Sequence, residues 1–215
     1  MRPPSRYRTY LFDLDGTLID SIDLIFRAYR HTAQRHLALS FPDSVWREWL
    51  GTPLRQQLSA VCDDAALIEA MVVTYREYHH AHHDASVKPY PHIADVVETL
   101  ADRGARLGVV TSKLRLGAER GLRATGLIDF FQTIVCADEV RRHKPHPEPV
   151  HIALERLGAE TAETVFIGDS PHDITAGREA GVSTVGALWG PFAREELSVA
   201  SPDFLLDSPS EILSL

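Results

Sequence analysis

The chain opens with a short apolar run, Tyr10-Leu-Phe-Asp-Leu-Asp15, that ends at Gly16-Thr17. Such a run closed by a turn signal predicts a buried strand. A helical pattern follows from about Ser21 to Leu37, with Asp20 or Ser21 as the expected N-cap. From about Phe41 to Asp84 the texture stays helical. Trp46, Trp49 and Leu50 fit one helix face, Leu54, Leu58 and Val61 another, and an amphipathic stretch runs from Asp64 to about His83. After Val87 the pattern changes, punctuated by Pro89-Tyr-Pro91. Helices are then predicted over about Ile93–Arg103, Leu114–Thr125, Pro147–Leu157 and Ile174–Ala180. Strands are predicted between them at Arg106–Thr111, Thr133–Cys136, Thr164–Gly168 and Ser183–Leu188, with a last one near Asp203–Leu206. The strands are near-continuous apolar runs separated by helices, which implies a parallel sheet covered on both faces.

The expected fold is therefore a doubly wound, Rossmann-like α/β core interrupted after its first strand. Residues 1–20 and 88–215 would form the core, and 21–87 a small helical cap. A helical block of about 65 residues is too small for a comfortable core of its own, so it should pack on the rest.

Composition narrows the class. The chain has 215 residues, 44% hydrophobic and 24% charged, which excludes disorder as the main state. No apolar run approaches the roughly 18–20 residues of a membrane helix. The basic stretch 1–9 runs into aspartates rather than an apolar segment, so no signal peptide is expected. The net charge is 22 − 30 = −8, which gives no general attraction to nucleic acid or anionic membrane. Two separated cysteines, Cys62 and Cys136, suggest neither a zinc site nor a disulfide framework and fit a cytoplasmic setting. Of 22 basic residues only Lys88, Lys113 and Lys144 are lysines.

In open α/β sheets ligands bind beyond the carboxyl ends of the strands. Those ends hold Asp13-Leu-Asp15-Gly16-Thr17-Leu18, Thr111-Ser112-Lys113, Lys144-Pro145 and Gly168-Asp169-Ser170, with Asp173 four residues past Asp169. Several carboxylates around one crevice repel unless a cation offsets them. The donors are all oxygen, which suits a hard divalent ion such as Mg²⁺. Mg²⁺ and lysine together suit a phosphoryl group, which an aspartate can attack as nucleophile while a second carboxyl handles the proton. Gly16 lets the chain turn sharply beside the phosphate.

The set DxDGTL at 13–18, threonine at 111, lysine at 144 and GDSxxD at 168–173 resembles the four motifs of the haloacid dehalogenase superfamily, in its phosphatase branch. The resemblance spans nearly the whole chain. It implies Asp13 as nucleophile and metal ligand. Asp15 would be general acid/base and would give the metal its backbone carbonyl. Thr111 and Lys144 would hold the phosphoryl, and Asp169 and Asp173 would complete the Mg²⁺ site. Gly16, Thr17, Ser112, Lys113 and, from the cap, Arg55 are expected at the substrate. Asp15 is absent from dehalogenases, which favours a phosphate substrate. TSKLRL at 111–116 and KPHPEPV at 144–150 resemble the phosphoglycolate phosphatase group, and 74–84 its PpaX-like pyrophosphatase relatives. The implied activity is Mg²⁺-dependent hydrolysis of a small phosphorylated metabolite, phosphoglycolate first and pyrophosphate second, by a monomer or homodimer. A β-phosphoglucomutase-like mutase and a catalytically silent binding protein are the rivals.

Other readings stay local. Asp169 can be a helix N-cap and Asp173 a first-turn helix acid. Trp46 and Trp49 read as cap core, and Cys62 and Cys136 as plain packing residues. The cluster His79-His80-Ala81-His82-His83 reads first as a solvated helix end, with cap–core contacts or adventitious metal binding as alternatives.

Overall fold

The computed structural model describes residues 7–215; most of the basic stretch 1–9, residues 1–6, lies outside the described part. The elements in chain order are β1 (Thr9–Phe12), β2 (Ile19–Asp20), α1 (Ile22–Leu37), α2 (Asp43–Arg47), α3 (Leu54–Ser59), α4 (Ala65–Ser86) and β3 (Lys88–Pro89). They continue with α5 (Ile93–Asp102), β4 (Arg106–Val110), α6 (Arg115–Ala124), β5 (Thr133–Val135), α7 (Glu148–Leu157) and β6 (Thr164–Gly168). Then come α8 (Pro171–Glu179), β7 (Ser183–Ala187), α9 (Arg194–Val199) and β8 (Phe204–Leu206), followed by a 3₁₀ stretch at Pro209–Ser214; shorter 3₁₀ turns lie at Ile128–Phe130, Ala137–Glu139 and Thr161–Glu163.

Among the described residues, six strands form one parallel sheet in the order β5-β4-β1-β6-β7-β8. The doubly wound α/β reading is borne out. β1 lies in the middle and all four of its residues are buried, which is why its sequence shows no polar alternation. Tyr10 and Phe12 join Leu107, Val109, Val165 and Ile167 against α5 and α6 on one face. Leu11 joins Val110, Val135 and Phe166 against α7 and α8 on the other.

The four helices α1–α4 enter after β2 and leave at β3, and β2 and β3 pair antiparallel, Ile19 with Pro89 and Asp20 with Lys88. This two-residue ribbon is too short to leave a periodic signal, and the sequence pattern does not predict it. Inside the helical block Tyr29 stacks on Trp46 at 4.7 Å between centroids, with Leu58, Ile68 and Met71 around them. Phe192 and Leu197, from the segment after β7, belong to the same cluster. The block thus completes its core with side chains of the α/β part, as its size demands.

Several boundaries differ from expectation. β1 stops at Phe12 because Asp13–Thr17 forms a tight loop: the Leu14 carbonyl accepts from the backbone N–H groups of Leu18 and Ile19, both at 3.0 Å. Helix α8 begins at Pro171, before the expected Ile174, because Ser170 caps it and Pro171 suits the first turn. Helix α9 was not expected; its six residues are held at the start by the Glu196 side chain, which accepts from the Ala193 N–H at 2.8 Å. No helix of the described residues is long and apolar enough to cross a membrane.

Trp46 is fully buried, yet its indole N–H finds no acceptor among the described residues. Trp46→Ala should therefore cost about 3–5 kcal/mol in urea unfolding. Trp46→Phe should cost much less, since only packing and no hydrogen bond is lost. Equal losses for the two variants would contradict this account.

Candidate active site

Because β4 and β6 flank β1, the residues that follow these three strands meet at one edge of the sheet. Asp13 continues the ladder one step past β1, its N–H donating to the Ile167 carbonyl at 2.9 Å. Thr111 does the same past β4, donating to the Val135 carbonyl at 2.9 Å. Asp169 follows β6, and Lys144 arrives on the loop between β5 and α7.

The centre is a buried ionic cluster. The Lys144 ammonium donates to Asp13 Oδ1 at 2.8 Å and to Asp173 Oδ1 at 2.5 Å, with the Val110 carbonyl at 3.3 Å. Asp173 Oδ2 accepts from the N–H and hydroxyl of Ser170, at 3.0 and 2.6 Å. Asp173 is thus both the capping-box acid of α8 and a partner of Lys144. Asp169 is not the cap; Ser170 takes that role. Its Oδ1 accepts from the Thr17 hydroxyl at 2.6 Å. One carboxylate oxygen from each of Asp13, Asp169 and Asp173 lies within 4.8 Å of the others, all buried.

Three carboxylates and one ammonium leave this cluster two charges short of neutrality. Burial raises Asp13 from the ordinary 3.8 to about 7; Lys144 pulls it down and Asp173 pushes it up. Burial also raises Asp169, reinforced by the neighbouring Asp13 and Asp173. Burial opposes the charge on Lys144, but Asp13 and Asp173 outweigh it, so the ammonium is retained. The shared direction is that the cluster holds a proton into the neutral range when no further cation is bound. An oxygen-only set with that deficit fits a hard divalent cation.

Asp15 turns the other way. Its Oδ1 accepts from Lys113 Nζ at 2.7 Å and from the Ser21 hydroxyl at 2.5 Å. Burial pushes this carboxyl up, but the Lys113 charge and the two hydrogen bonds outweigh it and hold it below the usual range. Ser21 occupies the N-cap position of α1, as expected, but makes no cap hydrogen bond; its hydroxyl serves Asp15 instead.

The other expected residues fall in different places. Thr111 lines the crevice, and its hydroxyl accepts from the Lys113 N–H at 3.2 Å. Ser112, expected at the substrate, donates instead to the Gly51 carbonyl in the helical block at 2.5 Å. Thr17, also expected there, is fully buried and commits its hydroxyl to Asp169, while its carbonyl accepts from the Trp189 indole at 2.9 Å. Gly16 has φ +88°, and a Cβ there would stand 2.5 Å from Asp169 Oδ2, so only glycine lets the loop close on that carboxylate. Arg55 borders the crevice but is largely exposed and paired with Glu69 on α4. The histidine cluster is not simply a solvated helix end. His80 and His82 are exposed, but His83 is buried and paired with Asp84 at 2.8 Å, and Asp84 in turn holds Arg120 of α6 at 2.9 Å. Ser21 as a partner of Asp15, and Trp189, were not foreseen at the site, because nothing in their local patterns marks them; the contact of His83 and Asp84 with Arg120 matches the cap–core alternative for the histidine cluster. Cys62 and Cys136 are free thiols, Cys136 buried.

The crevice between the helical block and the sheet edge measures about 1120 Å³. Asp13, Asp15, Thr111, Lys113 and Asp169 lie on its sheet side, and Ile25, Tyr29, Leu50 and Val72 form an apolar wall opposite.

The family described as haloacid dehalogenase-like hydrolase matches residues 10–187. The pyrophosphatase PpaX of Anoxybacillus flavithermus is 43% identical over 211 residues, covering 96% of this chain and 95% of that protein. Among solved structures, a haloacid dehalogenase-like family hydrolase from Streptococcus pneumoniae is similar with a TM-score of 0.85 and 28% identity, over 97% of this chain and 98% of that one. A mutant of CbbY from Rhodobacter sphaeroides in complex with xylulose 1,5-bisphosphate is similar with a TM-score of 0.83 and 26% identity, over 95% and 96%.

The raised Asp13 pKa sets a pH dependence. An aspartate that titrates near 3.8 unfolded and near 7 folded binds its proton more tightly in the native state. Its contribution is then present at low pH and lost as pH climbs from roughly 4 to 7. A divalent cation competes for the same oxygens. The rise in Tm on adding such a cation to chelator-treated protein should therefore be larger at about pH 8 than at about pH 5.5. Equal shifts in scanning fluorimetry would contradict this.

Proposed function

Because the chain belongs to the haloacid dehalogenase-like hydrolase family, we propose that its crevice cleaves inorganic pyrophosphate through an aspartyl-phosphate on Asp13, with Mg²⁺ as cofactor. The observation that carries the reading is the division of labour between two carboxylates two residues apart. Asp13 sits on Lys144 in the cation-deficient cluster, while Asp15 stands apart, handled by Lys113 and Ser21.

In this scheme an Asp13 oxygen attacks phosphorus, and the bond from phosphorus to the leaving oxygen breaks. Asp15 enters this step protonated, carrying the proton it takes from water in the second step of a turnover, and gives it to that oxygen. In the second step Asp15 takes a proton from water, whose oxygen attacks phosphorus, and the Asp13 carboxylate is released. The Lys113-paired Asp15 seen here is the ionised form that the second step uses. Lys144 offsets the charge on Asp13 and the phosphoryl, and Thr111 offers its hydroxyl to a phosphoryl oxygen. Asp13 and Asp169, with the backbone carbonyl of Asp15, would hold Mg²⁺. Asp173, whose oxygens are occupied by Lys144 and Ser170, would support the site from behind. Bound Mg²⁺ supplies further neutralisation of phosphoryl charge. Residues 21–87 act as a cap that covers the crevice and keeps bulk water from the intermediate.

The choice of pyrophosphate is supported by the relative named PpaX, which matches over almost its full length. This reverses the order of preference read from the loop sequences. The apolar wall of Ile25, Leu50 and Val72 favours a second reading, a phosphomonoester with an organic leaving group such as phosphoglycolate.

The test is phosphate release with Mg²⁺ from pyrophosphate, 2-phosphoglycolate and a panel of sugar phosphates. Pyrophosphate is expected to be the best substrate, and Asp13→Asn to lower kcat by about 10³-fold or more. Preference for phosphoglycolate would transfer the assignment to the second reading. No release from any compound by folded, Mg²⁺-loaded protein would replace hydrolysis with phosphate transfer between sugars or with silent binding.

A further inference from the structure

The α4 helix lays a stripe of rings along the side that faces α6 and the crevice. Tyr75, His79 and His83 follow one another at four-residue spacing. The Tyr75 and His79 rings stack with centroids 5.8 Å apart and planes within 18°, and His83 follows at 5.4 Å. His83 is in turn fixed by Asp84, and Asp84 by Arg120. His79 is thus clamped between two rings, one of them anchored to the α/β part. Its own ring nitrogens make no hydrogen bond among the described residues, although it borders the crevice.

Electrostatically His79 belongs to the site. It feels the Lys113 ammonium and the Asp15 carboxylate, the same pair that faces the leaving oxygen in the scheme above. Burial, and Lys113 after it, push its pKa down to about 3, so it stands as a neutral imidazole with one N–H to offer and no repulsion of Lys113.

A leaving group has a fixed address in such a site. Asp15 must reach the bridging oxygen, so whatever hangs from that oxygen lies among the neighbours of Asp15. These include Lys113 on the sheet side and Ser21 at the start of α1. On the helical side Ile25, Leu50 and Val72 present apolar surface, and an anionic group lodged against them needs a donor. His79, which borders the crevice and feels the Asp15 charge, is a donor there whose ring nitrogens have no hydrogen-bond partner among the described residues.

We infer that His79, together with Lys113, forms the subsite for the second anionic group of the substrate, and that His79 is a specificity-determining residue. Resting on the reading above, that group is the leaving phosphate of pyrophosphate. The carboxylate of phosphoglycolate would occupy the same subsite in the second reading.

The test compares wild type, His79→Phe and His79→Gln on pyrophosphate, 2-phosphoglycolate and p-nitrophenyl phosphate, which has no second anionic group. Phenylalanine keeps the stack on Tyr75 but removes the N–H; glutamine keeps a donor. A hydrogen bond to a charged group contributes about 1.5–3 kcal/mol, so His79→Phe should lower the ratio of kcat/KM for the doubly anionic substrate to that for p-nitrophenyl phosphate by roughly 10-fold or more. The loss should appear in KM, and His79→Gln should restore much of it. Binding of methylenediphosphonate, a non-cleavable pyrophosphate mimic, should weaken in parallel by calorimetry. An unchanged ratio, or equal loss on all three substrates, would overturn the inference. Wild-type protein that turns over phosphoglycolate but not pyrophosphate would instead sink the pyrophosphate reading, and the subsite would then be judged on the phosphoglycolate ratio.

Discussion

The Lys144 ammonium is the interaction around which the rest of the site is arranged. It is almost wholly buried and faces Asp13 and Asp173, with Asp169 close by. A buried cation without carboxylates is prohibitively costly, and so are three buried carboxylates without a cation. Neither half tolerates loss of the other. The shortfall of positive charge that remains is of the sign and size that a divalent cation would offset. Gly16 at the Asp169 carboxylate and Ser170 at the Asp173 carboxylate follow from the same need to bring backbone and hydroxyl close to charges that water does not reach.

Much of this was legible in the chain because its logic is linear. Apolar runs that end in Asp13, Thr111 and Asp169 mark the strands, and the position of those residues marks the sheet edge that they share. The parallel order then brings them together without any further instruction. What remained hidden depends on contacts between distant segments. Ser21 reads as a helix cap, and only the tertiary arrangement turns its hydroxyl to Asp15. Thr17 reads as a phosphate neighbour, but Asp169 claims it from 152 positions away. The β2–β3 ribbon is two residues deep on each side, below the length at which periodicity speaks. His83 reads as part of a polar helix end, but α6 passes over it and buries it.

The helical block and the catalytic loops are in mechanical conversation through few groups. The Ser112 hydroxyl meets the Gly51 carbonyl, and Gly51 itself lies so close to Ser170 that a Cβ would come within 2.7 Å of its hydroxyl. Arg120 spans from α6 to Asp84 on α4. Two of these contacts involve residues adjacent to Thr111 and Asp169. The seating of the helices is therefore sensed directly by the loops that carry Thr111 and Asp169.

The central place of β1 has a consequence for how the chain comes into being. Its neighbours, β4 and β6, lie about 100 and 155 residues further along. During synthesis the apolar strand Tyr10–Phe12 must wait, unpaired on both edges, while the whole helical block is made, and its second edge stays open until Thr164–Gly168 appears. Long-range parallel pairing of this kind is slow, and a waiting apolar strand is prone to associate wrongly. The helical block can begin to condense on local contacts in that interval. Emergence from the ribosome thus presents the helical block early and completes the ionic cluster only after Asp173 has joined the chain.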